Sequence, residues 1–313
     1  MICDKRMDRD KRHDRFDNIV ALAEKSSASL PLDRPVFIAG SGRCGSTLLQ
    51  SILNTNPDFL IWGEHNGFLR QMAAAYYQAK HPRFPDHLSL GAAARIERLR
   101  EARRWPAWDN LCGEAEFRER FQTLVRSFFA DPEGRASRWG FKEIRYPRDS
   151  RDRTFPFLFD CFPEARLVIL VREPCATIFS MLSRWAFSEQ RPREIGSEEL
   201  DLQILAAAKS WHAQYAALHA VAQQYASMCM LVRYEDLRSA ETYVRLASFL
   251  DTSSFDFKSQ IAMVKDTADK TGPAAARIQQ RMQKLQLQIE SMTSEIRAIH
   301  GYTPSVAAES SVI

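Results

Sequence analysis

Pro35-Val36-Phe37-Ile38-Ala39-Gly40-Ser41-Gly42-Arg43-Cys44-Gly45-Ser46-Thr47-Leu48-Leu49 is the stretch on which the fold turns. A β-prone run, Val36–Ala39, enters a glycine-rich turn, and the turn opens a helical run from Ser46 to Leu53. A helix that begins this way leaves backbone N–H groups unpaired and points the positive end of its dipole outward, which makes an anion site. Three anions compete for it. Gly40, Gly42 and Gly45 satisfy G-x-G-x-x-G, and Glu64 lies about where a dinucleotide fold carries its acidic ribose ligand. Gly40 and Gly45 also frame G-x-x-x-x-G, but Ser46-Thr47 follows where nucleotide hydrolases carry Lys-Ser/Thr, so ordinary triphosphate chemistry is disfavoured. The third is a phosphosulfate, with Arg43 supplying the charge through a planar fork suited to oxyanions.

At 313 residues, with 45% hydrophobic and 26% charged residues, the chain has the composition of a globular protein with a substantial core. A net charge of +4 is too mild for a dedicated nucleic-acid binder and suits a small polyanion in a local pocket. No apolar run approaches the ~18 residues of a membrane span. The N-terminus lacks the apolar core of a secretory signal. Cys3, Cys44, Cys112, Cys161, Cys175 and Cys229 are scattered without a C-x-x-C pair, so a reduced, cytoplasmic protein without a zinc site is expected. Cys44 sits beside Arg43 at a helix start, which would acidify a thiol; a small inert filler of the turn is the plainer expectation.

Along the chain, residues 1–18 read as a flexible charged arm, with a helix near 18–26, and 19–313 as a single domain. Phe59–Trp62 is a short buried strand. Residues 66–130 form a helical insertion broken at His81-Pro82, Phe84-Pro85 and Trp105-Pro106. Strands are expected at Trp139–Ile144, Arg166–Val171 and Met228–Tyr234, with helices at Cys175–Trp185, 200–226 and 240–250. Strands alternating with helices imply an α/β fold around a mostly parallel sheet. Ile278, Met282, Leu285, Ile289, Met292, Ile296 and Ile299 form an apolar seam along a C-terminal helix at 274–300, compatible with a homodimer but also with docking on its own domain.

A second anion site is encoded at the end of the Arg166–Val171 strand. Arg172 closes that strand, and Ser180 stands eight residues on, about two helical turns into the next element. An arginine with a hydroxyl donor makes a phosphate clamp; a salt bridge between Arg172 and Glu173 is the competing expectation. Together, Gly42-Arg43-Cys44-Gly45-Ser46-Thr47-Leu48-Leu49, Leu170-Val171-Arg172-Glu173-Pro174 through Ser180, and Val232-Arg233-Tyr234-Glu235-Asp236-Leu237 resemble the 5′-phosphosulfate loop, the 3′-phosphate motif and the tyrosine segment of sulfotransferases. These enzymes use 3′-phosphoadenosine 5′-phosphosulfate. The closing Ile299-His300-Gly301-Tyr302 is similar to bacterial members, and the likeness spans about residues 35–302.

The resemblance implies a P-loop-like three-layer fold and transfer of a sulfuryl group to a hydroxyl of a small molecule, carbohydrate, lipid or peptide. It implies that Gly42, Arg43, Cys44, Gly45, Ser46 and Thr47 hold the 5′-phosphosulfate, Arg172 and Ser180 the 3′-phosphate, and that Tyr234 lies near the nucleotide. Glu64, in a Gly-Glu context like that of tyrosylprotein and bacterial sulfotransferases, is the implied general base, with His65 as the fallback. Lys142 would stabilise the bridging oxygen as the anhydride breaks, with a salt bridge to Glu143 or another neighbour as the plainer role. A sulfuryl group carries less charge than a phosphoryl group, so no metal is expected. Two departures from the family pattern stand out: Cys44 replaces the usual serine, and only Lys270-Thr271-Gly272 approximates the family's C-terminal basic-glycine contact. The 66–130 segment and Ser183–Glu199 would frame the acceptor. A dinucleotide-dependent oxidoreductase and a non-catalytic nucleotide-binding module remain the alternatives.

Overall fold

Five parallel strands in the order β2-β3-β1-β4-β5 form the centre of the computed structural model, which describes residues 34–80, 114–186, 196–262 and 272–302. They are β1 (Val36–Gly40), β2 (Phe59–Trp62), β3 (Arg138–Glu143), β4 (Arg166–Val171) and β5 (Cys229–Arg233). The described helices are α1 (Ser46–Leu53), α2 (Leu69–Lys80), α3 (Glu114–Phe129), α4 (Thr154–Cys161), α5 (Pro174–Ala186), α6 (Ser197–Gln224), α7 (Ala240–Phe249), α8 (Phe257–Ala262), α9 (Pro273–Lys284) and α10 (Gln286–Ile299).

The strands read as continuous apolar runs because both faces are covered. Successive side chains alternate across the sheet. Phe37 and Ala39 of β1, Phe141 of β3 and Ile169 of β4 meet Tyr76 of α2, Phe129 of α3, Leu158 of α4 and Trp211 of α6. Val36 and Ile38, with Val168, Leu170 and Val232, meet Leu49 and Ile52 of α1 and Leu246 of α7 on the other face. Leu49, Ile52 and Leu53 are fully buried; each such side chain stabilises the α1–sheet contact by about 1.5–3 kcal/mol. This is the three-layer α/β fold expected from the alternation of elements.

The strand order rules out the dinucleotide alternative. In dinucleotide-binding folds the second strand lies beside the first and brings its acidic end to the ribose. Here β3 is inserted between β1 and β2, so Glu64, just past β2, stands two strands from the glycine loop, about 10 Å at ordinary strand spacing.

The apolar C-terminal seam is realised as two helices meeting at Leu285, whose backbone (φ −97°, ψ 7°) leaves the helical region. Ile278, Met282, Leu285 and Ile289 pack on Ile178 and Leu182 of α5 and Leu200 and Ile204 of α6, while Ile296 enters the main core. Among the described residues no helix is long and apolar enough to cross a membrane. The charged arm, the helix near 18–26, the three proline breaks of the insertion and Lys270-Thr271 lie outside the described residues, as does the side chain of Trp185.

Candidate active site

The turn after β1 is built by two left-handed residues, Arg43 (φ 67°) and Gly45 (φ 95°). Gly45 is the N-cap of α1 and brings no side-chain cap, and the first turn carries no acidic residue. The helix start is therefore left for an outside anion. Glycine is needed at 45 for space as well as for φ. A Cβ there would stand 2.3 Å from Cδ2 and 2.6 Å from Cε2 of Tyr234. Cys44 faces inward. Its thiol is buried beside Leu49 and Ile52, and its N–H donates to Ser41 O at 3.3 Å. Burial pushes the thiol pKa up, against opposing hydrogen bonds from Ser46 and Tyr215. Burial thus outweighs the influences that would acidify the thiol.

The two anion motifs meet. Arg43 Nε donates to Ser180 Oγ at 3.2 Å, across 137 residues of chain. Arg172 Nη1 donates to Arg43 O at 3.1 Å, and its guanidinium lies 4.4 Å from the Tyr234 ring centroid. Arg172 does not pair with Glu173. That carboxylate instead caps α5 through Ala176 N–H at 2.7 Å and accepts from Arg297 at 3.0 Å. Glu235 accepts Glu173 N–H at 3.1 Å and Tyr302 Oη–H at 2.8 Å, which ties the tyrosine segment and the C-terminal Gly-Tyr to the same corner.

On the far side of β1, Lys142 Nζ lies 2.5 Å from Glu64 Oε1, and Arg145 Nη1 donates to Glu64 Oε2 at 2.9 Å. Lys142 does not pair with Glu143, because adjacent strand residues face opposite sides. Burial works to raise the Glu64 carboxyl, but hydrogen bonds and charge from Lys142 and then Arg145 outweigh it and hold the pKa below its ordinary value. Glu64 is thus an ionised carboxylate at neutral pH, with 29% of its side chain exposed. His65 is not available as a base. Its ring sits among Phe68, Phe129, Phe141 and Tyr146, with only 7% of the side chain exposed, and burial lowers its pKa more than the nearby Glu143 raises it.

The carboxyl ends of the strands thus present, in spatial order, Glu64 after β2, Lys142 near the end of β3, Arg43 after β1, Arg172 after β4 and Tyr234 after β5. A carboxylate, a lysine and two arginine-centred anion positions lie in one row at the edge where open α/β sheets bind ligands. A family model described as "Sulfotransferase family" matches residues 35–256, which includes every one of these groups.

The chain belongs to the sulfotransferase family.

Sulfotransferases are also what it is similar to among solved structures. The sulfotransferase domain from the curacin biosynthetic pathway superposes with a TM-score of 0.48 at 16% identity, covering 88% of this chain and 100% of that one. A sulfotransferase from Alicyclobacillus acidocaldarius gives 0.48 at 14% identity, covering 86% and 97%. The sulfotransferase domain of the Synechococcus PCC 7002 olefin synthase gives 0.45 at 15%, covering 84% and 95%. No curated protein sequence matches.

Several residues of this sulfotransferase site escape a reading of motifs. Arg145 and Glu143 flank the loop that carries Glu64. On α6, Gln214 Nε2 donates to Gly40 O (3.2 Å) and Ile144 O (2.8 Å), and Tyr215 Oη donates to Leu170 O (2.8 Å) while accepting Ser41 N–H (3.1 Å). Two consecutive residues of one helix therefore brace the ends of β1, β3 and β4. Nothing in a helical stretch of sequence marks them, because the partners are backbone atoms distant along the chain.

Proposed function

We propose that the chain transfers the sulfuryl group of 3′-phosphoadenosine 5′-phosphosulfate to a hydroxyl of its acceptor, with Glu64 as general base. The observation that carries this is the Arg43–Ser180 and Arg172–Arg43 contact pair, which brings two anion motifs from separate strands into one clamp. A donor with two anionic ends fits such a clamp. Arg43 and the N–H groups of Gly45, Ser46 and Thr47 would hold the phosphosulfate, and Arg172 and Ser180 would hold the 3′-phosphate. Gly42 lies in the same turn, the buried Cys44 anchors it from below, and Tyr234 abuts the nucleotide.

In the transfer, the acceptor oxygen bonds to sulfur as the bond from sulfur to the bridging oxygen breaks. The acceptor proton passes to Glu64, and the electron pair leaves on the 5′-phosphate. Positioning and electrostatic stabilisation are the levers. Lys142 exchanges Glu64 for the bridging oxygen, which frees Oε1 toward the acceptor. No metal is required by this arrangement.

The test is thermal stabilisation by 3′-phosphoadenosine 5′-phosphate, NAD and ATP, since a ligand that binds only the folded state raises stability by about 2.7 kcal/mol at one hundred times its Kd. Stabilisation by the bisphosphate supports the reading; stabilisation by NAD alone refutes it. Glu64→Gln keeps bisphosphate binding and loses about 10²–10⁴ in turnover. With Lys142 and Arg145 in contact, Glu64 is held below its ordinary value of 4.5, so the base is ionised at neutral pH before Lys142 turns to the donor.

A further inference from the structure

Glu143, the last residue of β3, is a fully buried carboxylate that accepts five hydrogen bonds. Its Oε2 takes the N–H groups of His65 (3.3 Å) and Gly67 (3.1 Å). Its Oε1 takes the N–H groups of Ile144 (2.9 Å) and Arg145 (3.2 Å), and Nη1 of Arg145 at 2.8 Å. Desolvating a carboxylate costs several kcal/mol, which such a set of charge-assisted bonds offsets.

The destination of those bonds is what matters. His65 and Gly67 belong to the loop that carries Glu64. The Arg145 nitrogen that contacts Glu143 is the same one that donates to Glu64 Oε2. Glu143 therefore reaches Glu64 by two routes, the backbone of its loop and a shared guanidinium, without touching it. We propose that Glu143 is a positioning residue for sulfuryl transfer, fixing Glu64 through Arg145 and the 63–67 loop when Lys142 turns to the donor. This rests on the function proposed above. Lys142 Nζ is 2.5 Å from Glu64 Oε1, a place it cannot keep while serving the donor. Arg145 then remains as the charged partner of Glu64 among the described residues, and Glu143 holds Arg145. The other groups near Glu143 do not compete for it: His65 Nδ1 is 3.8 Å away on a ring kept neutral by burial, and the Tyr146 phenol is held protonated by burial.

Glu143→Gln and Arg145→Gln test the assignment, with bisphosphate affinity by calorimetry, the Glu64 carboxyl titration by carbon NMR (assigned with Glu64→Gln), and single-turnover transfer from labelled donor. Bisphosphate affinity stays within about twofold of wild type, since Arg43, Arg172 and Ser180 are untouched. The Glu64 titration moves up as Arg145 is lost or released, and transfer slows on the order of 10- to 100-fold. An unmoved Glu64 titration, or affinity and rate falling together, overturns the proposal. If Glu143→Gln does not fold, Arg145→Gln, with a third of its side chain exposed, carries the same test with the same outcomes. If the wild type itself ignores the bisphosphate, the function fails first, while the Glu64 titration still decides the link to Glu143.

Discussion

Gly45→Ala is the most informative single change in the loop, because the structure prices both of its effects. A left-handed backbone at φ 95° costs a residue with a Cβ about 1–2 kcal/mol. The new methyl would also lie 2.3 Å from Tyr234 Cδ2 and 2.6 Å from Cε2, so the ring must swing by about 1 Å to reach ordinary contact. An off-rotamer side chain adds about 0.5–1.5 kcal/mol. The sum, about 2–3 kcal/mol, lowers Tm by about 3–5 °C for a domain of this size. The displaced ring no longer supports Arg172, which stacks on it at 4.4 Å. A stack and an aligned charge-assisted hydrogen bond are at stake, and bisphosphate affinity should fall about 10- to 100-fold. Calorimetry and thermal melts read both effects. The double variant Gly45→Ala/Tyr234→Ala separates them. Measured against Tyr234→Ala alone, it shows the backbone part of the stability loss without the steric part, and its affinity stays low because the stack is gone. Wild-type Tm and affinity in Gly45→Ala, or a Gly45→Ala stability loss as large in the Tyr234→Ala background as in the wild type, would refute the reasoning.

Arg172→Ala should weaken the bisphosphate about 100-fold, from the loss of two charge-assisted hydrogen bonds, with little change in Tm; equal weakening of adenosine 5′-phosphate would show that Arg172 does not face the 3′-phosphate. Tyr215→Phe leaves Ser41 N–H and Leu170 C=O without their buried partner and should cost about 2 kcal/mol, read as a lower denaturant midpoint at unchanged slope. Cys44 should resist alkylation in the native protein at pH 8, since burial raises its pKa, as it does for Cys175 and Cys229, each pushed up to about 12; peptide mapping by mass spectrometry would find Cys44 labelled only after unfolding.

Much of the sheet is legible in the chain because central parallel strands bury both faces and so read as unbroken apolar runs. Arg166–Val171 and Phe59–Trp62 fall at the expected residues, and α1 runs from Ser46 to Leu53 as expected. Trp139–Ile144 is shifted by one residue, to Arg138–Glu143, and Met228–Tyr234 is shortened to Cys229–Arg233. The helix α4, Thr154–Cys161, escapes notice because its Thr-Phe-Pro-Phe-Leu-Phe run is apolar almost all round, with no face-specific period. The single C-terminal helix becomes two because periodicity continues smoothly through Leu285 although the backbone does not.

By itself the sequence determined the strand–turn–helix at Val36–Leu53 and the arginine–serine spacing at Arg172 and Ser180, since turn chemistry and hydrophobic period are local properties of the chain. It left three anions competing for one loop. The likeness of three motifs to sulfotransferases narrowed that choice, and the tertiary structure added that β3 is inserted between β1 and β2, against the dinucleotide order, and that Arg43 closes onto Ser180. It also decided that Lys142 pairs with Glu64 rather than Glu143, that His65 is sealed among aromatic rings, and that Glu143, Gln214 and Tyr215 belong to the site at all. The physical reason is common to these cases. Their partners are backbone atoms or side chains from other strands, brought within hydrogen-bond reach by packing, and no local pattern in the chain records that distance.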